Sequence, residues 1–96
     1  SGSAYIFYFM EAMMEAAKEM GFEEDVAKAI TTQTFGGAVD LFQQKEETTR
    51  GWINKVCSKG GTTRAAIDTF EDQEVKAKIK KGIFAAYNRA VELGNS

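Results

Sequence analysis

Apolar residues recur along this 96-residue chain every three or four positions, the spacing of helices and not of strands. Ile6, Phe9, Met10, Met13, Ala17 and Met20 form the first stripe, and Gly21 follows as a helix stop. A second helix is predicted to open near Glu23, Glu24 and Asp25, whose carboxylates suit the positive end of a helix dipole. Its stripe runs Val26, Ile30, Gly37 and Leu41, and the polar stretch 43–49 ends it. A short amphipathic segment over 52–57 leads into a glycine turn, and 63–70 reads as another short helix. The last helix is predicted over about 73–93, with Val75, Ile79, Ile83, Ala86, Ala90 and Leu93 on one face and Gly94 at its end. The fold class that follows is all-α, a helical bundle in a single domain.

Two features point beyond a self-sufficient monomer. Residues 4–10 are apolar on every face of a helix, and a helix apolar all round is buried all round. A domain this small has little interior, so a second chain is the natural cover. Gly36 and Gly37 sit inside a helical pattern, each at about 1 kcal/mol relative to alanine. They mark either a close approach by another helix or a local kink or break in the second helix, and close approach is the better reading.

Composition narrows the chemistry. The formal charge of −2 gives no electrostatic reason to expect nucleic acid. The basic run at Lys76, Lys78, Lys80 and Lys81 has the apolar spacers of a solvated helix face. No apolar run approaches the ~20 residues that span a bilayer, so no membrane is expected. The lone Cys57 precludes an internal disulfide and fits a reducing, cytoplasmic setting; beside the turn it reads as a packed thiol rather than a nucleophile. Histidine is absent, which removes Ser-His-Asp and Cys-His catalysis and histidine-based zinc sites, and no metal is expected. The acidic clusters at 23–25 and 71–72 read as first-turn helix charges rather than paired catalytic carboxylates.

One segment carries a mechanism of its own, Ser58-Lys59-Gly60-Gly61-Thr62-Thr63. Two glycines let the backbone approach a ligand without interference from Cβ. The helix that follows presents N–H groups without internal partners, an arrangement that attracts anions, carboxylates included. The hydroxyls of Thr62 and Thr63 serve either a ligand or the helix cap, and the tetrapeptide alone favours a plain capped loop. It is not a Walker loop, because the Gly-x-x-x-x-Gly-Lys-Ser/Thr spacing is missing.

The longer stretch Val56-Cys57-Ser58-Lys59-Gly60-Gly61-Thr62-Thr63-Arg64-Ala65-Ala66-Ile67 changes that weighting. It resembles the signature of pyrroline-5-carboxylate reductases, which usually reads Val-Thr/Ser-Ser-Pro-Gly-Gly-Thr-Thr followed by small and aliphatic residues. Ser1-Gly2-Ser3-Ala4-Tyr5-Ile6-Phe7, Glu11-Ala12, Gln33-Thr34, Gly37-Ala38 and Ala85-Ala86-Tyr87 agree with other family positions, in order along the whole chain. Three positions depart from it: Lys59 replaces proline, a Gly-Pro pair after Ser3 is missing, and Trp52 stands where an aliphatic residue is usual.

The resemblance implies an oxidoreductase that reduces the C=N bond of 1-pyrroline-5-carboxylate to L-proline with NADPH or NADH. It implies a helical C-terminal domain of the 6-phosphogluconate dehydrogenase C-terminal type, interleaved with a second subunit in a homodimer that often assembles further. The family's N-terminal Rossmann domain has no counterpart here, since the Gly-x-Gly-x-x-Gly fingerprint is absent, so residues 1–96 would supply dimerisation and substrate binding and be inactive alone, with no cofactor bound. Carried over by position, the substrate carboxylate falls on Ser58, Gly60, Gly61, Thr62 and Thr63, and Thr63 is placed to orient the ring nitrogen. Glu46 aligns beside the site, either assisting or standing as a solvated residue. The rival readings are a non-catalytic helical dimerisation module and an anion-binding helical domain outside proline metabolism.

Overall fold

The computed structural model describes residues 2–58 and 61–95, and within them the chain forms helices and no strands. The order is α1 (Gly2–Glu19), α2 (Glu24–Gln44), α3 (Thr49–Cys57), α4 (Gly61–Asp72) and α5 (Val75–Asn95). The all-α reading of the sequence therefore holds. The chain divides into two compact units, Ser1–Glu47 and Thr48–Ser96.

The first unit is an α1–α2 hairpin. Gly21 adopts φ 106°, a conformation that costs glycine little, and terminates α1. Its N–H bonds to the Lys18 carbonyl at 3.0 Å and the Phe22 N–H to the Ala17 carbonyl at 3.1 Å, the paired bonds of a Schellman stop. The chain then turns back through Glu23 into α2, whose first turn carries Glu24 and Asp25 as expected from the dipole. Lys18 closes the turn on Glu24 at 3.0 Å, an exposed pair of small energetic weight.

The faces that meet are made of small and flexible side chains. Ala27 is fully buried and Thr31 2% exposed, with Phe35 half-buried one further turn along the same face. Opposite them α1 contributes the half-buried Met10, Met13, Met14 and Ala17. The Phe9 and Phe35 rings meet edge to face with centroids 5.7 Å apart, a geometry worth about 0.5–1.5 kcal/mol beyond area burial.

This face is offset by about 100° from the stripe read in the sequence. Val26, Ile30 and Leu41 are 39–43% exposed, because short residues at 27 and 31 let α1 settle against the neighbouring face. Helix α2 also runs unbroken through Gly36 and Gly37, so no break falls there, and no described atom of this chain approaches either glycine closely. The all-round apolar character of α1 persists in three dimensions, with Phe7 at 66% and Tyr8 at 77% exposure.

The second unit strings α3, α4 and α5 together. The Thr48 side chain accepts a 3.0 Å hydrogen bond from the Gly51 N–H, and this cap starts α3 at Thr49, three residues before the amphipathic pattern begins. Helix α4 extends the predicted 63–70 span at both ends. Glu71 and Asp72 consequently lie in its last turn and not, as expected, in the first turn of the following helix. Carboxylates there oppose the dipole, and cations compensate: Arg50 of α3 reaches Glu71 at 3.2 Å and Lys76 of α5 at 4.0 Å. Glu74, at φ 56°, makes the sharp turn into α5, and α5 continues through Gly94 instead of stopping there.

The two left-handed positions should respond to substitution in opposite directions. Gly21→Ala is expected to lower unfolding stability by about 1 kcal/mol, since a Cβ is strained at that φ. Glu74→Gly is expected to raise it by roughly 0.5 kcal/mol, strain relief exceeding the added chain entropy. Urea titration followed by circular dichroism measures both.

Candidate functional site

Four of the residues singled out in the turn segment, Ser58, Gly61, Thr62 and Thr63, lie where α3 ends and α4 begins. Ser58 is the C-cap of α3, in a right-handed conformation, with its N–H bonded to the Asn54 carbonyl at 3.0 Å. Its hydroxyl donates to the Lys55 carbonyl at 2.8 Å, so in this conformation the Ser58 oxygen is an acceptor toward anything outside. Lys59 and Gly60 lie outside the described residues. Gly61 opens α4, which places the Gly61, Thr62 and Thr63 N–H groups in a first turn without intrahelical acceptors.

The two threonines differ. Thr62 is exposed, whereas Thr63 is half-buried. Thr63 shares its side of α4 with the half-buried Ile67 one turn later, so it stands on the packed side of the helix. Neither hydroxyl bonds to another described residue; Thr69, in contrast, donates back to the Ala65 carbonyl at 2.9 Å. Thr63 thus combines partial burial with a hydroxyl that can still donate and accept.

Around the turn, Cys57 is 6% exposed and unpaired, the packed thiol expected of it. Trp52 is half-buried, and the Lys55 ammonium lies 5.1 Å from its ring centroid, within cation–π range. The buried indole N–H of Trp52 has no acceptor among the described residues. Arg64, next to Thr63, leans toward Asp68 at 3.5 Å.

Glu46 belongs to the first unit and is exposed in the segment between α2 and α3, whereas the turn belongs to the second unit. Sequence reasoning missed Thr48 and Glu71, which hold this region together. Thr48 precedes a helix start and was legible as a cap; Glu71 was not, because its partners come from two other helices.

The arrangement offers hydrogen-bond donors in a short helix turn beside a half-buried hydroxyl, a chemistry suited to a small carboxylate. The Gly-x-Gly-x-x-Gly fingerprint is missing from the sequence, and the described residues hold no strand for one to follow.

Comparison with known proteins bears on this reading. The family model for pyrroline-5-carboxylate reductase dimerisation matches residues 1–93. Pyrroline-5-carboxylate reductase 2 of Bacillus subtilis is 32% identical over 93 residues, covering 97% of this chain and 34% of the relative. The pyrroline-5-carboxylate reductase of Pseudomonas aeruginosa is 34% identical over 93 residues, with coverage of 97% and 34%. That of Vibrio alginolyticus is 36% identical over 94 residues, with 97% and 35%. The chain therefore spans about a third of the length of these relatives.

Because α3 carries the turn at its end, its cap should matter to stability. Thr48→Ala is expected to cost about 1 kcal/mol, with Thr48→Ser restoring most of it, by denaturant unfolding.

Proposed function

Since the chain belongs to the pyrroline-5-carboxylate reductase family through its dimerisation domain, we propose that it supplies the subunit-pairing and substrate-carboxylate half of such a reductase. The reaction of the whole enzyme is the reduction of 1-pyrroline-5-carboxylate to L-proline. The observation that carries the reading is Thr63, half-buried on the packed side of α4 in the first turn of that helix, with its hydroxyl uncommitted among the described residues.

In this reading the substrate carboxylate accepts hydrogen bonds from the first N–H groups of α4, at Gly61 and Thr62, with Gly60 completing the turn. The helix dipole favours the negative charge there. The Thr62 hydroxyl, exposed at the rim, adds a donor. Thr63 faces the ring nitrogen and holds it by a hydrogen bond; a threonine hydroxyl is too weak an acid for more than positioning. Ser58 contributes as a donor only after its hydroxyl turns away from the Lys55 carbonyl. Glu46 joins the site if the assembled protein brings the first unit to the turn.

This chain does not provide a fit for NADPH or NADH. Its residues lack the glycine fingerprint, and the described residues form helices without strands, so the nicotinamide dinucleotide would be held by a nucleotide-binding domain of which residues 1–96 are no part. No reduction step is therefore assigned to these residues. Their part is to bind and orient the substrate and to pair subunits as a homodimer. That pairing accounts for the exposure of Tyr5, Ile6, Phe7, Tyr8 and Phe9 along α1.

Titration calorimetry of the assembled chain with L-proline tests the site. Thr63→Ala is expected to weaken binding about tenfold, the worth of one hydrogen bond, while Thr69→Ala leaves it unchanged. Equal affinity of wild type and Thr63→Ala removes Thr63 from the site. Phosphate binding as tight as proline binding identifies a general anion turn instead. The chain alone is expected not to oxidise NADPH or NADH in the presence of pyrroline-5-carboxylate, measured by absorbance.

A further inference from the structure

Helix α4 carries its charges against its own dipole. A helix favours anions in its first turn and cations in its last. The first turn of α4 has no acidic residue and holds Arg64, while Asp68, Glu71 and Asp72 occupy the second half of the helix. At the C-terminal end the mismatch is met from other helices, because Arg50 of α3 lies 3.2 Å from Glu71 and Lys76 of α5 lies 4.0 Å from it. At the N-terminal end the one ion pair of Arg64 among the described residues is with Asp68 of its own helix, a single Nη1–Oδ1 contact of 3.5 Å.

That contact is weak on three counts. It is longer than the about 2.7–2.9 Å of a charge-assisted hydrogen bond. Both side chains are exposed, at 46% and 65%, where an ion pair is worth little. The cation also stands N-terminal to the acid, the less favourable order for an i,i+4 pair. A better-placed anion would therefore draw the guanidinium away from Asp68. Long helical side chains lie back over the turn that precedes them, and the turn preceding Arg64 presents the free N–H groups of Gly61 and Thr62. A cation opposed to the dipole and a helix end that attracts anions thus meet at one place, and a carboxylate bound there would satisfy both.

We propose that Arg64 is a swinging clamp for the carboxylate held at this turn. Its guanidinium leaves Asp68, pairs with the substrate carboxylate and returns when the site empties, so Asp68 competes with the substrate for it. The clamp rests on the carboxylate turn proposed above and adds to it a specificity-determining residue and that residue's restraint, both on α4.

Titration calorimetry of the assembled chain with L-proline at low ionic strength reads the clamp through substitutions of opposite sign. Arg64→Gln should weaken binding about three- to fivefold, and Arg64→Lys, which keeps the charge, should recover most of the loss. Asp68→Asn should tighten binding about twofold by freeing the guanidinium. In an Arg64→Gln background it should change nothing, because Asp68 acts only through Arg64. Added salt should narrow the gap between wild type and Arg64→Gln, since the charges are exposed. Helix content by circular dichroism should be the same in every variant. Equal affinity of wild type and Arg64→Gln overturns the clamp. So does an Asp68→Asn gain that survives in the Arg64→Gln background, which marks a general field effect instead. If Thr63→Ala weakens binding and Arg64→Gln does not, the turn stands and the clamp falls. An assembled chain that binds no proline removes the turn reading, and the clamp with it.

Discussion

A helix that meets one neighbour needs one apolar stripe, and α2 has two. One, through Ala27, Thr31 and Phe35, is taken by α1; the other, through Val26, Ile30 and Leu41, faces outward. The same excess runs through the chain, because α1 is apolar on all sides and α5 leaves Ile79, Ile83, Phe84 and Tyr87 exposed. Hairpins and short helix strings of this length have too little interior to cover such surfaces. The described residues thus leave more apolar side-chain surface uncovered than a single small domain ordinarily keeps.

The surroundings of the glycine turn are more local. Thr63 is half-buried by its own unit, and the turn sits between two helices fixed by a local cap at Thr48 and by Glu71, which reaches both Arg50 and Lys76. Exposed ion pairs contribute little stability, but a carboxylate shared by cations from two other helices fixes orientation. The helices on either side of the turn are held by neighbours in sequence. The unpartnered indole N–H of Trp52 belongs to the same picture of a region whose polar groups are not all satisfied within the described residues.

Helix content was fully legible in the sequence, because a repeat of three and four apolar positions admits no other regular structure over such lengths. The stop at Gly21 was legible too, since its φ of 106° is a conformation that glycine tolerates and other residues resist. The packed face of α2 was not. A periodic pattern ranks faces by hydrophobicity, while packing chose the face with the smaller side chains, Ala27 and Thr31, and left the larger ones outside. The role of Glu71 was hidden for a related reason: its meaning depends on Arg50 and Lys76, and sequence spacing does not show which helices converge. At the site, the glycines and threonines were readable as a helix-start motif, but the difference between Thr62 and Thr63 emerged only from their burial, and the engagement of the Ser58 hydroxyl with Lys55 only from its rotamer.

The Gly21 stop has a kinetic side. It joins α1 to α2 by a few residues, and among the described residues the well-packed helix pairs are neighbours in sequence, α1 with α2, α3 with α4, and α4 with α5. Contacts of low sequence separation form fast, since little loop entropy must be lost to close them. Each unit can therefore form on its own, and if the chain pairs as proposed, refolding should separate into a rapid phase independent of protein concentration and a slower one that accelerates with it. The hairpin's exposed aromatic residues would stay uncovered through that interval, which makes the time between the two phases the period in which this chain is most open to misassociation.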